Sequence, residues 1–235
     1  MTIEEIPLAH QLFTEEHMIA SSAAFLQTMS SRRSVRDFSD KPVPTEVVRN
    51  ALLAAGSAPS GANQQPWHFA VTTDSDVKRR LRELAEEEER SFYARRASEQ
   101  WLNALAPLGT DADKPFLEIA PVLIGVFQQK FHIDQNGNKQ KHYYPAESTG
   151  IACGLLLSAL HQSGLSTLTH TPSPMKFMNN IFQRPKSEKP FLLLVVGYPA
   201  DNCQVPNINK KTLAQFTSTV GSQTTALTTA AAEST

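Results

Sequence analysis

Three segments of the chain carry the patterns of α-helices. Residues 44–56 place apolar residues at helical spacing and end on a glycine. Residues 14–32 open with a threonine that can cap a helix, followed by two acids. Residues 145–164 are apolar on nearly every side, which is typical of a helix buried in a core or an interface. We therefore predict a helix in each segment.

Strands are predicted between these helices. Continuous apolar runs at residues 120–127 and 190–199 predict two buried strands, and residues 67–73 predict a third. A long helix is predicted from about residue 76 to 105, and an Asn-Gly pair within residues 134–140 predicts a hairpin tip. Helices and strands interleave without a regular βαβ period, so the pattern favours an α+β fold over a doubly wound sheet.

The composition is that of a globular protein. Of 235 residues, 40% are hydrophobic and 19% are charged. We expect one domain over residues 1–220 and a disordered tail of low complexity at residues 221–235. A net charge of −1 argues against a general attraction to nucleic acid or to an anionic membrane.

Cysteine content and hydropathy indicate where the protein works. The two cysteines, Cys153 and Cys203, lie far apart, so neither a disulfide framework nor a thiolate metal site is expected. No apolar run approaches the ~20 residues that span a membrane, and the N-terminus lacks the pattern of a signal peptide. We expect a soluble cytoplasmic protein without a metal site.

A cluster of arginines is the first candidate for chemistry. Arg32, Arg33 and Arg36 accompany Ser34 just beyond the first predicted helix. Guanidinium groups pair with phosphate oxygens in a planar fork, and a serine hydroxyl adds another donor. On spacing alone, however, a basic helix end that complements the helix dipole is the favoured explanation of these residues.

Two further segments are weak candidates by themselves. The turn-rich loop at residues 58–66 contains Gly61, which permits close backbone approach to a ligand, and polar neighbours that offer hydrogen bonds. The segment at residues 166–174 has a threonine at every second position before a proline, which is typical of a strand end with hydroxyls on one face. Many surface loops and strand edges share these features.

In combination, these motifs resemble the nitroreductase superfamily of flavin enzymes, and within it the iodotyrosine deiodinase branch. The resemblance covers residues 31–220 and is carried by "RRSVR", "APSGA", "EEEER..Y", "IACGLLLSAL", "THTP" and "VGYP". It implies a nitroreductase-like α+β fold, with a central mixed or antiparallel sheet flanked by helices. It also implies an intertwined homodimer that binds FMN between its subunits.

The resemblance also implies which residues bind FMN. The arginine pair and Ser34 would lie at the phosphate side, and Arg36 near the pyrimidine edge of the ring. The hydroxyl of Thr171 would act catalytically, because a hydrogen bond to flavin N5 favours one-electron steps. Lys210 falls where the family has a basic residue near the phosphate, although lysine cannot form the planar fork of arginine. The implied cofactor-binding residues are Arg32, Arg33, Ser34, Arg36, Pro59, Ser60, Thr169, His170, Thr171 and Lys210.

A substrate clamp follows from the same resemblance. Glu89 and Tyr93 are one helical turn apart and share a face, and Lys114 lies in a predicted loop. In deiodinases the matching residues form a lid over the substrate: the carboxylate pairs with the ammonium of an amino acid and the lysine with its carboxylate. The backbone N–H of Ala62 matches the contact to the phenolate oxygen. The other acids of the run, residues 86–88, are expected to be solvated.

These residues imply FMN-dependent reductive dehalogenation of halogenated tyrosines, giving tyrosine and halide, with electrons from an external donor or reductase. One alternative is an NAD(P)H-dependent nitroreductase or quinone reductase of broad substrate range, since Asn63 and Gln65 are typical of nitroreductases. Another is a flavin-binding module that senses or stores an amino acid without turnover.

Overall fold

The computed structural model describes residues 4–105 and 109–220. The predicted tail at residues 221–235 lies outside this range. In chain order the helices are α1 (Glu15–Ser31), α2 (Thr45–Gly56), α3 (Ser75–Arg95), α4 (Glu99–Leu105), α5 (Phe116–Ile119), α6 (Pro145–Gln162) and α7 (Phe177–Ile181). The strands are β1 (Trp67–Thr72), β2 (Val122–Gln129), β3 (Phe131–Ile133), β4 (Lys139–Lys141), β5 (Ser166–His170) and β6 (Glu188–Gly197).

A four-stranded antiparallel sheet forms the centre of the fold. Its strands lie in the order β1-β2-β6-β5, and β3 and β4 form a separate hairpin. The chain between α1 and α2 extends the β5 edge through a parallel bridge between Ser34 and Thr167. This arrangement confirms the predicted α+β fold with a sheet flanked by helices.

Both faces of the sheet are buried, which explains the unbroken apolar runs of its two central strands. Leu192, Leu194 and Val196 of β6 point to the face that α2 and α6 cover. The alternate residues Leu193 and Val195 point to the opposite face, where α3, α5 and α7 pack. Successive side chains of a strand point to opposite faces, so each central strand contributes to two apolar cores.

The predicted helices at residues 14–32, 44–56 and 145–164 agree with α1, α2 and α6 to within two residues at each end. The three predicted strands agree with β1, β2 and β6 to within two residues. The hairpin tip is confirmed as well, because residues 134–138 join β3 to β4.

The prediction of a single long helix from about residue 76 to 105 is wrong, because the helix is interrupted between α3 and α4. The backbone N–H of Arg96 donates to the Phe92 carbonyl, and its guanidinium turns back to the Glu88 carboxylate at 3.1 Å. Beyond the break, the Ser98 hydroxyl accepts a hydrogen bond from the backbone N–H of Trp101. These contacts end one helix and start the next at a point where helical propensity alone would continue.

The chain forms two compact units, divided between Val205 and Pro206. In the second unit, a short 3₁₀ helix at Leu213–Gln215 is closed by a capping box in which Thr212 and Gln215 exchange hydrogen bonds. A single domain over residues 1–220 therefore stays a prediction. In residues 4–105 and 109–220, no helix is long and apolar enough to cross a bilayer.

Close packing at the end of β6 leads to a first prediction. A Cβ atom at Gly197 would lie 2.6 Å from Cδ of Pro121 and 3.3 Å from the Phe38 ring. We expect Gly197→Ala to lower the free energy of unfolding by about 1–3 kcal/mol, because neither ring can move without disturbing the core. Urea unfolding of the purified variant measures the change.

The matched control is Gly56→Ala near the end of α2, where an added Cβ meets no atom within 4 Å. Alanine is the better helix former, so this variant should be unchanged or more stable by up to about 1 kcal/mol. Equal stability of the two variants would contradict the packing argument.

Candidate active site

A cavity of about 280 Å³ opens between the end of β5, the C-terminal half of α3, and α4. It collects seven of the residues predicted from the sequence, which are Arg36, Glu89, Tyr93, Lys114, Thr169, His170 and Thr171. These side chains come from four separate segments, so only the fold brings them together.

Lys114 and Glu89 form a buried pair of opposite charges. Their side chains are 3% and 15% exposed, and Nζ lies 3.7 Å from Oε2. The ammonium also donates to the Thr110 hydroxyl at 3.4 Å and to the Asp111 carbonyl. Burial lowers the pKa of Lys114 and raises the pKa of Glu89, and in each case the partner's charge opposes the shift. The two charges are desolvated but do not meet at hydrogen-bond distance.

Tyr93 completes this group. It follows Glu89 by one turn of α3, and its hydroxyl donates to the Thr110 carbonyl at 3.3 Å. Its ring centre lies 6.0 Å from Nζ of Lys114. Burial raises the pKa of Tyr93, so the phenol stays protonated. The structure thus places the three predicted clamp residues around one cavity; their roles in binding stay predictions.

The loop that carries Lys114 is tied to α3 by Glu86. The Glu86 carboxylate accepts a hydrogen bond from the backbone N–H of Lys114 at 2.8 Å, and its side chain is only 13% exposed. The expectation that Glu86 is solvated is therefore wrong. Its partner lies 28 residues away along the chain, so a helical pattern cannot reveal the contact. Glu87 is exposed as expected.

His170 provides a neutral polar group in the same cavity. The residue is 7% exposed, and its ring packs edge-on against Phe116 with centres 5.8 Å apart. Within the described residues its Nε2 has no hydrogen-bond partner. Burial, assisted by the charges of Lys114 and Arg36, lowers the pKa of His170 to about 3. The imidazole is therefore a buried, neutral group beside the cavity.

A second cavity, of about 340 Å³, lies at the opposite end of β5. Arg32 and Arg33 line it together with Ser166 and Thr167. The backbone N–H of Val35 donates to the Thr167 carbonyl at 3.2 Å, which holds residues 32–36, the arginine segment, alongside β5. Residues 165–167 line this cavity and residues 168–171 line the first.

This layout fits a mononucleotide such as FMN. Two guanidinium groups at one end of β5 suit a phosphate. At the other end Arg36 offers a third guanidinium, and Thr169 and Thr171 bring hydroxyl groups. The chemistry of the donors therefore matches a ligand with an anionic end and a polar ring.

Five predicted residues line neither cavity. Ser34 pairs with β5 through a backbone bridge. Pro59, Ser60 and Ala62 belong to the loop after α2 and line neither cavity. Ala62 is exposed and adopts a left-handed conformation with a φ of 50°. Lys210 is exposed in the second compact unit. The roles of all five stay predictions.

The aromatic wall of the first cavity was not anticipated from the sequence. Phe92 and Trp101 pack edge to face with ring centres 5.1 Å apart, and Leu105 and Phe116 complete the apolar lining. Trp101 reaches the cavity because the chain turns between α3 and α4. A sequence prediction that included this turn would have placed Trp101 at the cavity.

Residues 29–198 match the nitroreductase family. The chain is 50% identical over 206 residues to the iodotyrosine deiodinase of Haliscomenobacter hydrossis, covering 88% of this chain and 93% of that protein. It is 43% identical over 211 residues to the iodotyrosine deiodinase of Nematostella vectensis, covering 89% and 80%. It is 42% identical over 221 residues to iodotyrosine deiodinase 1 of Homo sapiens, covering 93% and 76%.

Solved structures show the same similarity. A crystal structure of oxidised iodotyrosine deiodinase bound to FMN and 3-iodo-L-tyrosine superposes with a TM-score of 0.70 and 28% identity, covering 83% of this chain and all of that one. A nitroreductase with bound FMN from Bacteroides fragilis gives a TM-score of 0.60 at 20% identity, covering 84% and 98%. The latter similarity concerns the fold alone.

The buried imidazole predicts a pH effect on stability. The native protein keeps His170 neutral down to a pKa of about 3, whereas the unfolded chain protonates it below 6.5. Protonation therefore favours the unfolded state as the pH falls through this window. Between pH 7 and pH 5 we expect the unliganded wild type to lose about 2 kcal/mol more free energy of unfolding than His170→Gln.

Urea unfolding at the two pH values measures this difference. His10→Gln is the control, because His10 is exposed and its variant should follow the wild type. Parallel pH profiles for wild type and His170→Gln would contradict the proposed burial of a neutral imidazole.

Proposed function

Since the chain belongs to the nitroreductase family, in its iodotyrosine deiodinase branch, we propose that it catalyses the FMN-dependent reductive dehalogenation of halogenated tyrosines. The products are tyrosine and a halide ion. The observation that carries this proposal is the buried pair of Lys114 and Glu89 beside Tyr93, in a cavity that the arginine segment and β5 also line. The relatives named as deiodinases support it.

An amino-acid zwitterion satisfies both buried charges. Its ammonium would pair with the Glu89 carboxylate and its carboxylate with the Lys114 ammonium, while the Tyr93 hydroxyl adds a hydrogen bond. Both protein charges have already lost most of their contact with water, so the ligand brings countercharges to groups that are already largely desolvated. A substrate without these two charges would not relieve that cost.

The aromatic wall would hold the phenol ring of the substrate. Phe92, Trp101 and Phe116 supply the apolar surface, and they also keep water away from the reacting atoms. The backbone N–H of Ala62 would donate to the phenolate oxygen, where negative charge resides.

The cofactor would lie along β5. When bound, FMN supplies the two electrons of the reduction. Arg32, Arg33 and Ser34 would hold its phosphate side, and Arg36 would offer positive charge to the ring edge. Thr171 would donate a hydrogen bond to the ring from its hydroxyl. Additional binding groups would come from Pro59, Ser60, Thr169, His170 and Lys210.

A homodimer accounts for apolar surface that one chain leaves uncovered. In the described part of the chain α1 buries no residue, and Phe25 and Leu26 on it are exposed. Ile151 and Leu155 on α6 are exposed as well. A second copy of the chain would cover these faces and bring its own loop after α2, with Ala62, to the site.

The fold is equally that of NAD(P)H-dependent nitroreductases, but the structures with that name are related at about 20% identity and bear on the fold alone. The charged clamp favours the deiodinase reaction over this alternative. The electron donor is proposed to be external, a small reductant or a reductase, and a cytoplasmic location stays a prediction.

Anaerobic turnover tests the proposal directly. The FMN-loaded protein is reduced with dithionite and mixed with 3-iodo-L-tyrosine, tyrosine or a nitroaromatic. We expect 3-iodo-L-tyrosine alone to reoxidise the flavin with release of iodide. Binding without reoxidation would indicate a sensor. Rapid reduction by NADPH combined with indifference to iodotyrosine would indicate a nitroreductase.

The clamp residues generate a binding prediction. We expect Glu89→Gln and Lys114→Gln each to weaken binding of 3-iodo-L-tyrosine to the oxidised holoenzyme by at least about 100-fold, because the remaining partner is left as an uncompensated buried charge. Quenching of flavin fluorescence during titration measures the affinity. Flavin absorbance per protein should not change, because neither side chain is a proposed FMN ligand.

Glu87→Gln serves as the control, since it removes the same charge from an exposed position on the same helix. Its affinity should match the wild type. If the clamp variants bind iodotyrosine normally, the proposed recognition of the zwitterion fails.

The dimer generates a prediction about mass. Light scattering should give twice the 25.9 kDa of one chain for the wild type. Leu155→Asp should dissociate the dimer and release FMN, because it places a charge in the proposed contact. Val71→Asp, at an exposed apolar position on the edge strand β1, should stay dimeric. A monomeric wild type with tightly bound FMN would refute the proposal.

A further inference from the structure

Glu86 lies outside the cavity but touches the loop that carries Lys114. Its Oε1 accepts hydrogen bonds from the Lys114 backbone N–H at 2.8 Å and from Nε of Arg82 at 2.7 Å. Arg90 approaches its other oxygen at 3.6 Å. Burial opposes ionisation of this carboxyl, but the bonds from Arg82 and the amide outweigh it and lower the pKa of Glu86. The group is therefore a fixed anion.

A second contact anchors the same loop further along. Arg82 also donates to the Glu118 carboxylate at 3.1 Å, and Glu118 belongs to α5. Besides its packing in the core, the segment from Lys114 to Ile119 is thus bonded to Glu86 and Arg82 of α3, and Glu86, Arg82 and Glu118 form one continuous network. This network runs along α3 beside the residues that face the cavity.

This attachment determines where the ammonium of Lys114 lies. Glu89 and Tyr93 are carried by α3, whereas Lys114 comes from a separate loop that contains Gly109 with a φ of 60°. The Tyr93 hydroxyl also holds this loop through the Thr110 carbonyl, but the bond to Glu86 is the one that fixes the backbone of Lys114 itself. Displacements of about 1 Å in a binding group have large effects on recognition and rate.

We infer that Glu86 is a positioning residue for recognition of the amino-acid part of the substrate: it holds the Lys114 backbone against α3 so that Lys114 and Glu89 face a zwitterion at fixed separation. This inference rests on the proposed function, and it deepens it by adding a residue that does not touch the ligand. Glu86 acts through its hydrogen bond from the Lys114 backbone N–H, and its ion pair with Arg82 holds the carboxylate in place.

Two ligands separate positioning from general stability. In the FMN-loaded protein, Glu86→Ala should weaken binding of 3-iodo-L-tyrosine about 10-fold. Binding of 2-iodophenol, which has the halogenated ring without the amino-acid group, should change by less than about 2-fold. Glu86→Gln keeps a carbonyl oxygen that can accept from the Lys114 N–H, so it should restore affinity to within about 3-fold of the wild type.

Hydrogen exchange tests the contact without any substrate. Peptides that cover residues 110–118 should exchange faster in Glu86→Ala holoenzyme than in the wild type, since the Lys114 amide loses its acceptor. Glu87→Ala is the control in both experiments, because Glu87 is an exposed neighbour of the same charge. It should alter neither binding nor exchange.

The outcomes distinguish the two proposals. Unchanged iodotyrosine affinity with unchanged exchange in Glu86→Ala overturns the inference, and so does equal loss of both ligands or of FMN, which would indicate a structural role only. If the wild-type holoenzyme itself does not bind 3-iodo-L-tyrosine, the proposed function fails. The exchange experiment then still decides whether Glu86 holds Lys114 in place.

Discussion

Burial of both faces of the central sheet is the constraint on which the rest of the structure depends. β2 and β6 direct alternate side chains into two apolar cores, and helices cover both. The faces are therefore unavailable for a ligand, and binding has to use an edge. At the β5 edge the arginine segment runs alongside the strand, and a cavity opens at each end. The elongated site that we propose for FMN follows from this topology.

Two pairs of opposite charges in and beside the site differ in how closely their members approach each other. Lys114 and Glu89 are buried opposite each other without a direct hydrogen bond, which leaves both able to bind a countercharge. Glu86 and Arg82 are closer, with full hydrogen bonds, and they serve to hold the loop. Two acids of the same helix thus differ in their contacts, because Glu89 faces the cavity and Glu86 faces the loop.

A neutral group contributes where additional charge would be unfavourable. His170 lies near Lys114 and Arg36, whose positive charges and the surrounding burial keep its imidazole unprotonated. A charged histidine there would be repelled by both cations and would lose its hydration in a buried position. Its Nε2 is buried without a hydrogen-bond partner among the described residues.

By itself the sequence determined the elements and the family. Apolar periodicity predicted α2, α6, β2 and β6, because their packing requires apolar residues at regular spacing. The motifs of the arginine segment and the acidic helix predicted the cofactor and the clamp residues. The tertiary structure decided which acids are buried, that α3 ends at Arg95, and that Trp101 faces the cavity. Those features depend on contacts between distant segments, such as the Lys114 amide with Glu86, and no local pattern encodes such contacts.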